Sequence, residues 1–173
     1  MDVAKLNEHL FSDVTRLYAV LDGASVPDLP MRLYEMRPPN YCLFPGELSP
    51  DVAYTAPYVV NLVPNSPFTK WILSESFGNH WGIFAHCRFS IKEMRRHFRA
   101  LVNVCDEQGN PMIFRFYDPR ILRQFLPTCK ATELKSIFGN VQTFFAEAED
   151  NENLLGFQLE NDSLKESKLN LES

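Results

Sequence analysis

The sequence predicts one α/β or α+β domain, in which helices flank a mixed β-sheet that carries additional hairpins. Segments with helical periodicity alternate along the chain with short apolar runs typical of strands, and this alternation indicates a sheet covered by helices. The composition agrees, because 45% hydrophobic and 23% charged residues in a chain of 173 are ordinary values for one packed core. We expect the domain to span residues 1–160 and a flexible acidic tail to follow over 161–173.

The predicted elements of the N-terminal half are bounded by turn residues and prolines. They are a helix over 2–15, a strand over 16–22, a helix over 28–36, a short apolar run over 41–44, a strand over 58–63 and a helix from Pro67 to Gly78. Asp22 and Gly23 form a turn signal that ends the first strand. Pro38 stops the second helix, since the residue before a proline avoids the helical region. Ser66 is expected to cap the helix that begins at Pro67.

The elements of the C-terminal half are predicted in the same way. They are a strand over 81–87, a helix after Ser90, a hairpin of 102–105 and 111–117, helices from Pro119 and over 131–139, and strands near 142–148 and 154–159. Ser90 and Glu93 have the spacing of a capping box, in which each side chain binds the other residue's backbone. The polar run over 106–110 marks the turn of the hairpin.

The protein is expected to be cytoplasmic. Its first residues form no apolar leader, and no apolar run reaches the roughly 18 residues that a membrane span needs. Cys42, Cys87, Cys105 and Cys129 form no C-x-x-C pair and have apolar neighbours. We therefore expect reduced thiols that are buried in the core.

The sequence lacks the common motifs of catalysis and cofactor binding. It contains no G-x-S-x-G nucleophile elbow, no G-x-x-x-x-G-K-[ST] loop and no G-x-G-x-x-G fingerprint. His80, His86, Cys87 and His97 lack the spacing of a metal site, and His86 and Cys87 would point to opposite faces of a strand. We therefore expect no enzyme activity, no cofactor and no metal; a small hydrolase with an unrecognised active site is the alternative.

One face of the helix after Ser90 is basic. Lys92, Arg95, Arg96 and Arg99 fall at positions i, i+3, i+4 and i+7, so they share that face. Three interpretations stay open: a solvated surface, a docking face for an acidic protein, or a nucleic-acid surface. The last is the least favoured, because no pattern of aromatic residues for base stacking accompanies the arginines.

Residues 114–120 read Phe-Arg-Phe-Tyr-Asp-Pro-Arg and are predicted to lead the chain from a strand into a helix. As a strand, Phe114 and Phe116 would share one face, and Arg115 and Tyr117 would share the other. This string is the most specific motif in the sequence.

Asp118, within the same string, is expected to cap the helix that follows. Pro119 suits the first helical position, and both Arg115 and Arg120 are close enough to pair with the Asp118 carboxylate. From these residues alone, two interpretations stay open. The corner is either purely architectural, or its arginines form a surface that recognises a partner.

This corner resembles the signature of the type VI secretion adaptor family, also called domain of unknown function 4123. Three further motifs of that family occur in the same order: Tyr-Ala-Val-Leu-Asp-Gly-Ala over 18–24, Ala-Pro-Tyr-Val-Val-Asn-Leu over 56–62, and Trp81-Gly82. Together the motifs extend the resemblance over about residues 16–145.

The resemblance implies a bacterial, cytoplasmic, chaperone-like adaptor without catalytic activity, cofactor or metal. Members of the family hold a toxic effector and help to load it onto the VgrG spike protein. The implied partners are therefore a secreted toxin effector and VgrG, with no small-molecule substrate, nucleic acid or membrane. The candidate signature or partner-binding residues are Asp22, Pro57, Tyr58, Trp81, Arg115, Tyr117, Asp118 and Arg120, with the basic residues Lys92, Arg95, Arg96 and Arg99.

Charge is divided unevenly along the chain. Residues 147–173 contain 8 acidic and 2 basic residues, whereas residues 1–146 contain 14 acidic and 15 basic ones. We hypothesise that the acidic tail covers the basic helix face until a partner arrives. Many members of the family carry a longer C-terminal lobe, so different or fewer effector contacts are expected where a short acidic segment follows Phe145.

Overall fold

The computed structural model describes residues 2–12 and 15–172 of the chain. Over these residues the strands are β1 (Arg16–Asp22), β2 (Asn40–Cys42), β3 (Pro57–Leu62), β4 (Gly82–Cys87), β5 (Asn103–Cys105), β6 (Pro111–Ile113), β7 (Val141–Glu147), β8 (Asn153–Glu160) and β9 (Ser163–Asn170). The helices are α1 (Val3–Leu10), α2 (Leu29–Met36), α3 (Pro50–Thr55), α4 (Pro67–Glu75), α5 (Ile91–Val102), α6 (Pro119–Phe125) and α7 (Ala131–Phe138), with a 3-10 turn over Leu126–Thr128. Helices and strands alternate as the sequence predicts, and the α+β class is confirmed.

One sheet of seven strands, in the order β2-β3-β1-β4-β7-β8-β9, forms the centre of the described structure. All its neighbouring strands are antiparallel, so the sheet is antiparallel rather than mixed. The reason lies in the position of β1. The helical crossover through α4 joins β3 and β4, which run in the same direction, but β1 lies between them and pairs antiparallel with both.

Helices cover both faces of this sheet. From β1, Tyr18 and Val20 enter the core that α5, α6 and α7 cover, whereas Leu17, Ala19 and Leu21 enter the core that α1, α2 and α4 cover. A strand that is buried on both faces explains why this part of the sequence is continuously apolar. Among the described helices, none has the length and apolarity needed to cross a bilayer.

Side-chain caps begin the helices where the sequence predicts them. Ser66 Oγ accepts a hydrogen bond of 3.2 Å from the Thr69 N–H, and Pro67 opens α4. Ser90 and Glu93 form the predicted capping box, in which the Ser90 N–H donates to the Glu93 carboxylate at 2.8 Å. These local signals depend on neighbouring residues, which is why the sequence alone reveals them.

Three local elements differ from the prediction. α1 ends at Leu10, and residues 13 and 14 of the predicted helix lie outside the described residues. α3 forms where no helix was predicted, with Ser49 before it and Pro50 at its first position. β6 ends at Ile113, because the chain leaves the strand at 114 and turns at 116 and 117.

The prediction of a flexible tail over 161–173 is wrong. Residues 163–170 form β9, which pairs along its whole length with β8. Asn161 and Asp162 both have positive φ angles, as the two central residues of a tight hairpin turn require. Leu171 is fully buried, and its N–H donates to the Glu152 carbonyl at 2.8 Å. The domain therefore continues past residue 160.

The segment after residue 160 also cannot cover the basic face of α5. This helix packs on β2 and β3, whereas β9 lies at the opposite edge of the sheet.

The cysteines are free thiols, but they are not all buried. Cys87 is buried, Cys42 and Cys129 are partly buried, and Cys105 is exposed. The expectation of a buried thiol is wrong for Cys105, because β5 pairs with β6 in a two-stranded hairpin that is separate from the main sheet.

Candidate functional site

The three motifs from the first half of the family signature meet at one end of the sheet, where β1 ends and β3 and β4 begin. Asp22 pairs across the ladder with Pro57, and its N–H donates to the Trp81 carbonyl at 2.8 Å. The Gly23 N–H donates to the Ala56 carbonyl at 3.1 Å. We call this end of the sheet, together with the corner over 114–120, the signature edge.

The glycines of these motifs permit close backbone approach at the signature edge. A Cβ atom on Gly23 would lie 2.3 Å from the Ala56 carbonyl oxygen, and one on Gly82 would lie 2.2 Å from the Val20 carbonyl oxygen. Both distances are far shorter than a van der Waals contact, so a larger residue would push the strands apart. The motif glycines are thus explained by packing.

The Asp22 carboxylate connects this end of the sheet to the corner. It is buried, and it accepts hydrogen bonds from the Ala24 N–H and the Ser25 hydroxyl, both at 3.0 Å. Arg115 Nη2 donates at 2.6 Å to Asp22 Oδ2, the same oxygen that accepts from the Ser25 hydroxyl. This pairing was not predicted, because the contact joins residues that are 93 positions apart.

Asp118 performs the predicted role of helix cap. Its carboxylate accepts from the Arg120 N–H at 3.0 Å and from Arg120 Nε and Nη2 at 2.9 and 2.7 Å, while Arg115 Nη2 lies 3.7 Å away. The expected pairing with both arginines is confirmed. Burial raises the pKa of Asp118, but the hydrogen bonds from Arg120 and the charges of Arg120 and Arg115 outweigh it, so the pKa lies below its ordinary value.

Phe114 and Phe116 lie on the same side, as predicted, since both pack in one core with their rings 6.4 Å apart. The expectation that Arg115 and Tyr117 share the other face is wrong, because the chain turns there. The Asp118 N–H donates to the Arg115 carbonyl at 3.0 Å, and this turn directs both Phe116 and Tyr117 into the core. Burial raises the pKa of Tyr117 to about 12. Arg115 alone of these three side chains points outward, where it is 44% exposed.

Pro57, Tyr58 and Trp81 are structural residues of the signature edge. Pro57 is buried at the start of β3, and the Tyr58 hydroxyl donates to the Ala53 carbonyl of α3 at 3.0 Å. Trp81 is nearly buried, and its ring lies 5.3 Å from the Trp71 ring of α4. These candidates therefore hold the edge together and offer little surface to a partner.

Glu147 is a residue of the same end of the sheet that the sequence did not reveal. β7 runs antiparallel to β4, so its last residue lies beside the start of β4. The buried Glu147 carboxylate accepts from the Gly78 N–H at 2.6 Å and the His80 N–H at 3.1 Å, and it contacts the His80 ring. The feature of the sequence that could have identified Glu147 is a carboxylate at the end of an otherwise apolar strand.

The signature edge places cations outside and carboxylates inside. The side chains of Arg115 and Arg120 are 44% and 49% exposed, whereas those of Asp22 and Asp118 are almost completely buried. Each carboxylate accepts hydrogen bonds from groups of the protein itself, so it fixes the arginines in position. The arrangement presents planar donor groups, which suit the recognition of carboxylate or carbonyl oxygens.

The four basic residues of α5 form a different surface. Lys92 and Arg96 are exposed, whereas Arg95 and Arg99 turn toward the segment that begins with β2. The sequence candidates therefore separate into two groups, one at the signature edge and one on α5.

The side chains of His80, His86 and His97 contact oxygen atoms of the protein. His86 Nε2 lies 2.7 Å from the Leu10 carbonyl, and His97 Nε2 lies 2.8 Å from the Ile137 carbonyl. His86 and Cys87 face different cores, as predicted from the strand geometry. Over residues 2–12 and 15–172, no three His, Cys, Asp or Glu side chains are grouped in a way that could hold a metal ion.

Comparison with known proteins identifies a family. The sequence model of a protein family described as Domain of unknown function (DUF4123) matches residues 17–136, which is well over half of the chain. The matched range includes the four motifs of the signature edge. Neither the curated proteins nor the solved structures give a match.

Proposed function

The chain belongs to the DUF4123 family, and from this premise we propose that it is a non-catalytic adaptor that binds a type VI secretion effector and promotes its loading onto the VgrG spike. The family is associated with type VI secretion adaptors. In this proposal the protein acts in the cytoplasm, before secretion. Its partners are the effector and VgrG, and it needs no cofactor, metal or small-molecule substrate.

The observation that carries the proposal is the convergence of four family motifs on two anchored arginines. Arg115 and Arg120 are half exposed, and the buried carboxylates of Asp22 and Asp118 hold their guanidinium groups in place. A side chain that is already ordered loses less conformational entropy on binding. Arginine is enriched among the few residues that dominate the energetics of protein interfaces.

An apolar groove beside the corner also supports protein binding. Phe114, the first residue of the corner, lines a groove of about 370 Å³ together with Phe125 and Ile137. On the adjacent hairpin, Met112 and Ile113 are 52% and 54% exposed. Exposed apolar side chains next to ordered polar groups are typical of surfaces that bind proteins.

The polar groups of the site support binding rather than catalysis. The carboxylates of Asp22, Asp118 and Glu147 are each occupied by hydrogen bonds from within the chain. A general base must instead reach a proton of its substrate. In this proposal the three carboxylates order the binding surface and take no part in catalysis.

Co-purification tests the proposal. The full chain is expressed together with VgrG and with the toxin encoded beside its gene, and it is captured by an affinity tag. We expect the toxin to be retained, and VgrG to be retained in the presence of the toxin. Retention of neither protein would refute the proposal.

A further inference from the structure

The basic residues of α5 line a groove of about 350 Å³ that lies between this helix and β2. Its lining residues are Tyr41, Lys92, Arg95, Arg96 and Arg99. Four of these five residues are cations, and the fifth is aromatic. The groove contains no residue of the signature edge, so it is a separate surface.

The cations of this groove are free of ion pairs among the described residues. By contrast, Arg115 and Arg120 pair with buried carboxylates, and Lys135 pairs with Asp162. No acidic residue lines the groove. Four positive charges close together without a carboxylate repel one another, which favours an anionic occupant.

The nearest acidic side chain on the same helix is already engaged. The Glu93 carboxylate accepts from the Ser90 N–H at 2.8 Å and from the Ser90 hydroxyl at 2.6 Å. These bonds, with a smaller contribution from the charge of Arg96, lower the pKa of Glu93. Glu93 therefore stays charged in the capping box and neutralises only part of the positive field.

Arg99 serves the fold and not a ligand. Its Nη2 donates to the Phe44 carbonyl at 2.7 Å, and its guanidinium also binds the carbonyls of Cys42 and Leu43. This clamp holds the segment after β2 against α5. The clamp positions Tyr41 as the aromatic wall of the groove.

Arg95 is the central cation of the groove. Its guanidinium carbon lies 4.8 Å from the centre of the Tyr41 ring, a cation–π contact that fixes the side chain. Its Nε is buried and has no hydrogen-bond partner among the described residues. The guanidinium therefore has donor capacity that the protein does not use.

We propose that this groove binds an acidic segment of a protein partner. Carboxylates of that segment lie against Arg95 and its exposed neighbours Lys92 and Arg96, and Tyr41 supports the side-chain stems. A single aromatic residue provides no series of stacking platforms, so the groove fits a peptide better than a single-stranded nucleic acid. This inference goes beyond the proposed function, since it does not depend on which protein supplies the segment.

Fluorescence anisotropy with the full chain tests the proposal. The probes are a labelled Glu-rich peptide, the same peptide with Gln at every Glu, and a labelled single-stranded oligonucleotide. We expect binding of the Glu-rich peptide that weakens with added salt, and little binding of the Gln peptide. Equal binding of both peptides, or tighter binding of the oligonucleotide, would overturn the proposal.

Two variants locate the binding. Arg95→Gln with Arg96→Gln should weaken the Glu-rich peptide about tenfold and flatten its salt dependence. Lys92→Gln with Arg96→Gln changes exposed residues only, so it tests the groove even if loss of Arg95 disturbs folding. Lys5→Gln with Lys70→Gln removes the same charge from helices on the other face of the sheet and should leave affinity unchanged. Undiminished binding by both groove variants would contradict the assignment.

Discussion

The guanidinium of Arg115 donates a hydrogen bond of 2.6 Å to the carboxylate of Asp22, across 93 positions of sequence. The contact joins the motif that ends β1 to the motif that begins α6. Asp22 is buried and Arg115 is half exposed, so one member of the pair supports the fold and the other reaches the surface.

Asp22→Asn should lower the free energy of unfolding by about 2 kcal/mol, because Arg115 and Ser25 lose a charged acceptor. Urea denaturation measures this change. The control is Asp162→Asn, which removes an exposed ion pair with Lys135 and should cost less than about 1 kcal/mol. Equal losses in the two variants would show that burial of the Asp22 contact adds nothing.

Asp118→Ala should lower the free energy of unfolding by about 0.5–2 kcal/mol, the usual cost of removing a helix cap. The variant also frees Arg120 from its two-point contact with the carboxylate. Thermal and urea unfolding of the variant and the wild type give the difference. A fully stable variant that loses its partner would instead assign Asp118 to recognition.

The lowered pKa of Asp118 predicts how the free energy of unfolding depends on pH. Its pKa in the folded state lies below the ordinary value of 3.8. The stability that it contributes is therefore present above pH 3.8 and is lost as the pH falls through the lower pKa of the folded state. Below pH 3.8, the wild type should lose unfolding free energy more steeply than Asp118→Asn. Parallel pH curves for the two proteins would contradict this account.

Leu171→Ala should lower the free energy of unfolding by about 2–5 kcal/mol, because this leucine is fully buried. Glu172→Ala changes the exposed neighbouring residue and should have little effect. Guanidinium denaturation of both variants compares them directly. A negligible effect of Leu171→Ala would indicate that the segment after β8 is not part of the folded domain.

Local signals allowed much of the fold to be predicted from sequence. The strand predicted over 16–22 has the same bounds as β1, and the caps at Ser66 and Ser90 were predictable because each depends on residues three positions apart. β9 was missed because its polar side chains face solvent and only its hairpin turn, Asn161-Asp162, signals a strand pair.

Contacts between residues that are far apart in the sequence could not be predicted. The cap at Asp118 and its arginine partners lie within one short string, whereas the pairing of Arg115 with Asp22 depends on the sheet order. Glu147 reaches the His80 loop for the same reason, since β7 pairs with β4. Periodicity along a strand or helix does not show which elements become neighbours.

The most direct test of the adaptor function is co-purification with the toxin encoded beside the gene, comparing the wild type with Arg115→Lys/Arg120→Lys. Lysine keeps the charge beside the buried carboxylates of Asp22 and Asp118 but lacks the planar donor fork of arginine. We predict that the wild type retains the toxin and that the double variant, shown by thermal unfolding to be folded, does not. Full retention by the folded variant, or no retention by the wild type, would contradict a partner-recognition role for the signature edge.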